Sequence, residues 1–97
     1  MKQKQVLKVG QHRSNSRVWL DNDKFLKSSG FYPSSIYSTK YTSGIITLRL
    51  SVKGRKVSKK KDNSIIDLSS SKVTKSLEGF THVEVCYFSY HIIIIGV

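Results

Sequence analysis

VWLDNDKFLKSSGFYPSSIYSTKYTSGIITLRL at residues 18–50 and IIDLSSSKVTKSLEGFTHVEVCYFSYHIIIIGV at residues 65–97 carry the same order of features twice. Each reads as a strand, a polar cap, a short helix, Gly-Phe and a hairpin. Leu20, Phe25, Gly30, Phe31, Ile45 and Ile46 fall opposite Leu68, Val73, Gly79, Phe80, Ile92 and Ile93, with an offset that drifts between 47 and 49. A unit of about thirty residues cannot bury its apolar face alone, so the two copies are expected to close on each other around one core. The expected fold class is mostly β with two short helices, built as a pseudo-dimer within one chain.

Local chemistry supports each element. Asp21, Asn22 or Asp23 can cap the first helix by accepting from its unpaired amides, and Ser69 or Ser70 can cap the second. Phe25 and Leu26 face inward, Lys24 and Lys27 outward, and Gly30 stands just past the helix end, where a left-handed residue is favoured. Ile36–Tyr41 and Ile45–Leu50 are β-prone runs joined by Thr42-Ser43-Gly44, a hairpin loop. Val83–Phe88 and Ile92–Ile95 repeat the hairpin, and the second run, apolar on both faces, is expected at the centre of a closed or double-sided sheet. Gln5–Val9 reads as an edge strand and Gly10–Ser16 as a polar loop. The resulting division is a basic N-terminal arm (1–16), a first β-helix-hairpin unit (17–50), a basic linker (51–63) and a second unit (64–97), all within one compact domain. Phe31 and Phe80 are expected as core anchors.

The formal charge of +11 over 97 residues is unevenly placed. Residues 1–17 contribute +5 without an acid, residues 18–50 contribute +2, residues 51–62 contribute +5 and the remainder −1. Such clustering concentrates a polyanion and releases its counterions on contact, so nucleic acid is the expected partner. The candidate contact residues are Lys8, Arg13, Arg17, Lys53, Arg55, Lys56, Lys59, Lys60 and Lys61. Trp19 and the tyrosines can stack on unpaired bases, though at alternating strand positions such residues more often belong to a core or a sheet surface. Neither basic run is flanked by the apolar anchors that a membrane surface demands, and Ile92–Ile95 is too short to span a bilayer. A single cysteine, Cys86, excludes an intramolecular disulfide and suits a reducing compartment; with no leader pattern, a cytoplasmic protein is expected.

The string from Trp19 to Phe31, followed by a hairpin ending Gly44-Ile-Ile-Thr-Leu48, resembles the AbrB/MazE-like swapped-hairpin family, and within it the SymE-like branch. The family pattern runs hydrophobic-x-Leu, then Leu-x-x-Ala-Gly-Phe-x-x-Gly, then Gly-x-Ile-x-Leu. Here Ser29 replaces the alanine and Ser34 the glycine that starts the next strand, and the second copy matches only through Leu68, Gly79-Phe80 and the terminal strand. The resemblance implies a small barrel of two interlocked units and a DNA-binding regulator, antitoxin or nucleoid-associated factor. Arg13 and Arg17 fall where such proteins contact DNA, whereas the linker lysines have no family counterpart.

Catalytic and cofactor chemistry is thin. His12, His82 and His91 lack metal-ligand spacing, no carboxylate pair remains to hold magnesium once the capping acids are set aside, and no glycine loop cradles phosphate. No cofactor is expected. The reading is therefore a non-enzymatic nucleic-acid-binding protein, with duplex DNA favoured over RNA, acting as a monomeric pseudo-dimer or a homodimer. Two alternatives stay open. One is a phage or mobile-element inhibitor whose lysines meet a host nucleoprotein or an acidic protein surface. The other is a SymE-like, metal-independent ribonuclease toxin using His12 with Lys or Arg.

Overall fold

The computed structural model describes residues 3–97; Met1 and Lys2, which open the segment read as a basic arm, lie outside the described residues. The first repeat runs β3 (Asn15–Leu20), α1 (Asp23–Ser28), β4 (Ile36–Thr42) and β5 (Ile45–Leu50). The second runs β8 (Asn63–Ser69), α2 (Ser71–Ser76), β9 (His82–Phe88) and β10 (His91–Gly96). Of the candidate caps, Asn22 and Ser70 close the helix starts, their side chains accepting from Phe25 N–H at 3.1 Å and Val73 N–H at 3.3 Å. A left-handed glycine follows each helix, Gly30 directly after the Ser29 cap at φ +89° and Gly79 two residues after the Leu77 cap at φ +86°. Ser34, standing where the resembled family has glycine, also takes a left-handed φ of +74°.

The two repeats interleave. β3 pairs antiparallel with β8 about the facing residues Trp19 and Asp67, and β5 pairs antiparallel with β10 about Thr47 and Ile93. Helix α1 packs on β8 and α2 on β3, so each helix covers the other repeat. Leu50 N–H bonds to Tyr90 O at 3.0 Å, and Gly96 N–H to Gly44 O at 2.8 Å. These mutual bonds set the hairpin offset at 46 residues. Ile46 and Leu48 thus correspond to Ile92 and Ile94, one residue away from the match expected from sequence, and all four are buried.

The arm and linker belong to this repeat as well. β1 (Gln3–Lys8) pairs with β9, and β2 (Gly10–His12) pairs with β3, so Gly10–Ser16 is part of a hairpin rather than a loop. In the segment read as a linker, β6 (Arg55–Lys56) pairs with β4 and β7 (Ser58–Lys60) pairs with β8. Val9 N–H bonds to Thr81 O at 2.9 Å, and Val57 N–H bonds to Ser35 O at 2.8 Å. The repeated order is therefore three strands, a helix and a hairpin. Its beginning is visible in Lys8-Val9, Asn15-Ser16 and Leu20 against Lys56-Val57, Asn63-Ser64 and Leu68.

Two sheets result, ordered β1-β9-β10-β5-β4-β6 and β2-β3-β8-β7, and they do not close into a barrel. The core lies between them: Val18, Leu20, Ile66 and Leu68 face Tyr37, Ile46, Leu48, Val83, Val85, Tyr87, Ile92 and Ile94, while Leu26, Phe31, Val73 and Leu77 fill the helical ends. β10 sits centrally, as its apolar sequence demands, but only one of its faces is core. Ile93 and Ile95 lie half-buried on the outer side with Ile45 and with Val6, which is 62% exposed. Phe31 is fully buried and Phe80 is not: at 37% exposure its ring lies across Gly44 and Gly96 at the surface, so Phe80 is no core anchor. Among the described residues no helix is long and apolar enough to cross a membrane.

Candidate nucleic-acid interface

The four-stranded sheet exposes a face centred on Trp19 and Asp67, with one hairpin turn at each end. In both hairpins two residues join the strands, Arg13-Ser14 between His12 and Asn15, and Lys61-Asp62 between Lys60 and Asn63. The first loop residue is left-handed in each, Arg13 at φ +59° and Lys61 at φ +57°. That conformation favours glycine in two-residue hairpins and costs an L-residue about 1–2 kcal/mol. Instead of glycine, both turns hold a cation there. Along the β3–β8 register roughly eight residues, about 25 Å at the usual strand rise, run from Asn15 to the position opposite Asn63, and the two turns lie just beyond these ends.

Around Lys61 cluster the exposed Lys59 and Lys60, and beside Arg13 stands the exposed His12. Lys59, Lys60, Lys61 and Arg13 thus share the ends of one sheet. Lys8 and Lys56 lie instead on the edge strands of the six-stranded sheet, and Lys53 is exposed in the bend before β6. The six cations of the segment read as a basic linker lie largely in β6, β7 and a tight turn. Two-residue and three-residue strands of Lys, Arg and Ser have no apolar alternation to announce them; their neighbours β4 and β8 impose the conformation.

Two candidate residues are already engaged. Arg17 grips both carboxylate oxygens of Asp67, Nε to Oδ1 at 2.9 Å and Nη2 to Oδ2 at 3.0 Å, and its guanidinium lies 4.5 Å from the centroid of the Trp19 ring. The hydrogen bonds to Asp67 raise the Arg17 pKa further above its ordinary value. Arg55 donates to the Asp67 carbonyl at 3.2 Å. Trp19 remains 39% exposed beneath Arg17. The centre of the face is thus a neutralised, cross-linked platform, and its free positive charge stands at the two turns.

A further basic cluster is not legible in the sequence. Lys40 on β4 and Lys72 and Lys75 on α2 line one groove of about 740 Å³ with Thr39, Tyr41 and Glu78. Lys72 and Lys75 are one helical turn apart, a spacing that marks a shared face, but only the packing of α2 beside β4 brings Lys40 to them. Comparison with family models, with curated proteins and with solved structures returned no match.

Proposed function

We propose that this chain binds nucleic acid, duplex DNA foremost, through the two cationic turns at the ends of its four-stranded sheet. The observation that carries this reading is the pair of strained residues: Arg13 and Lys61 occupy matched turn positions where glycine would relax the backbone. Strain retained at a surface position is a pointer to use rather than to stability. Two cations related by the approximate twofold between the repeats suit the two backbones of a duplex, which are themselves related by twofold axes. Lys59 and Lys60 extend one end. Arg17, tied to Asp67, orients Trp19 and holds the platform instead of meeting phosphate. The interleaving of the helices and hairpins supports the kinship to swapped-hairpin regulators that the Trp19–Phe31 string suggests. On this reading Lys8, Lys53 and Lys56 add diffuse attraction only, and phosphate contacts of this kind position a protein without choosing sequence.

The test sets stability against binding. Arg13→Gly with Lys61→Gly should raise unfolding free energy by about 1 kcal/mol per site, because each turn relaxes. The same pair should lower the magnitude of the salt slope on a 20-base-pair duplex by roughly 1.8, from about 0.9 per lost phosphate contact. A double variant that binds duplex with unchanged affinity and slope removes the turns from the interface. Wild-type protein that shifts no duplex at low salt removes the proposal, and cleavage of RNA in parallel would favour the ribonuclease alternative.

A further inference from the structure

The two edges of the six-stranded sheet are finished differently. Along β9 runs β1, six residues long, with Gln3 to Lys8 facing Tyr87 to His82. Along β4 runs β6, which supplies only Arg55 and Lys56 opposite Tyr37 and Ile36. From Ser38 to Thr42, therefore, β4 has a strand on one side only. The Ser51 N–H to Ile36 O bond fixes which residues bond toward β5. By antiparallel alternation these are Ile36, Ser38, Lys40 and Thr42, so the N–H and C=O groups of Thr39 and Tyr41 point to the open side. Such an edge is a template for an added strand.

Beside it lies the groove between β4 and α2, lined by Thr39, Lys40, Tyr41, Lys72 and Lys75, with Lys72 Nζ 5.9 Å from the Tyr41 ring centroid. In the other repeat the matching edge is occupied: Tyr87, the counterpart of Tyr41, is fully buried and donates through its hydroxyl to Gln5 Oε1 of β1 at 2.8 Å. Tyr41 is only half-buried. The geometry points to the Ser38–Thr42 edge of β4 as the docking site for an extended, acidic segment of a partner protein, added antiparallel as β1 is added to β9. The charge selects this occupant. Three lysines against Glu78 attract carboxylates, and they repel the β1 of a second copy, which in the register it takes on β9 would set Lys4 directly opposite Lys40.

The experiment uses the full chain, end-capped hexapeptides of alternating Glu-Val and alternating Lys-Val, and residue-resolved amide hydrogen exchange. In free protein the Thr39 and Tyr41 amides should exchange far faster than those of Val85 and Tyr87, which face β1. The acidic peptide should slow Thr39 and Tyr41 about tenfold or more, while the basic peptide leaves them unchanged. Lys72→Glu with Lys75→Glu, both exposed, should weaken the acidic peptide about tenfold and admit the basic one. Should that pair perturb α2, Lys40→Glu on β4 tests the same preference. Thr39 and Tyr41 amides that are protected in the free chain, untouched by millimolar acidic peptide, or protected equally by the basic peptide overturn the proposal. Protection by an oligothymidine in preference to the peptide assigns the groove to nucleic acid and equally overturns it.

Discussion

At Gly30-Phe31 the chain leaves a helix and buries an aromatic ring completely; at Gly79-Phe80 it leaves the matched helix through the same dipeptide and keeps the ring at the surface. The difference is one residue. From the helix cap, Ser29-Gly30 leads to Phe31, whose N–H returns to Leu26 O at 2.9 Å and tucks the ring inward. Leu77-Glu78-Gly79 leads to Phe80, whose N–H reaches only Leu77 O at 3.0 Å. Leu77, itself buried, takes the interior place, and Phe80 turns outward onto Gly44 and Gly96. A repeated backbone path thus does not guarantee repeated side-chain burial, because the count of residues between cap and ring decides which one faces the core.

Truncating the two rings should separate the corners most clearly. Phe31→Ala should lose about 3–5 kcal/mol in urea unfolding, and Phe80→Ala about 1 kcal/mol, since its ring already retains water contact. Equal losses would mean that Phe80 is part of the core. A smaller contrast is expected between the glycines. A β carbon at Gly30 would come within 3.0 Å of Leu50 Cδ1 and 3.1 Å of Tyr90 Cδ1, whereas at Gly79 nothing lies within 4 Å. Gly79→Ala should therefore cost about 1 kcal/mol from its left-handed backbone alone, and Gly30→Ala roughly 2–3 kcal/mol once crowding is added. Equal costs would show that Leu50 and Tyr90 yield freely.

The smallest effect concerns the helix starts. Asp23 in α1 accepts from Ser64 N–H at 2.7 Å and pairs with Lys27 at 3.1 Å, while the matched position in α2 is Ser71. The Ser64 hydrogen bond, aided by Lys27, holds the Asp23 carboxyl below its ordinary pKa. Its contribution is present above the unfolded value near 4 and is lost as pH falls through the folded value, so stability should decline on acidification below about pH 4. Asp23→Asn should flatten that decline; an unaltered acid limb would assign it to other carboxylates.

Much of this fold was legible because its signals are local. The Asn22 and Ser70 caps, Gly30, Gly79, Gly44 and the Ile92–Ile95 run all act through their own backbone or periodicity. What the sequence conceals depends on distant partners. Arg17 reads as a free cation until Asp67, fifty residues on, is placed beside it. Ser58-Lys59-Lys60 reads as linker until β8 lends it a ladder. The Lys8-Val9 and Lys56-Val57 match was the available clue, but with charged residues between the matched positions it carried no apolar period. Lys40, Lys72 and Lys75 likewise became a cluster only through tertiary packing.

The exchange of helices between repeats also governs how this chain acquires its structure. α1 needs β8, β5 needs β10 and β1 needs β9, so residues 3–50 by themselves hold little beyond the β2–β3 and β4–β5 hairpins. Closing such sequence-distant pairs is slow, and chains dominated by them fold in milliseconds to seconds. On a ribosome the first repeat must wait, with Leu20, Phe31, Ile46 and Leu48 uncovered, until the strand His91–Gly96 has emerged. That interval is when the chain is most open to chaperones, proteases and its own neighbours.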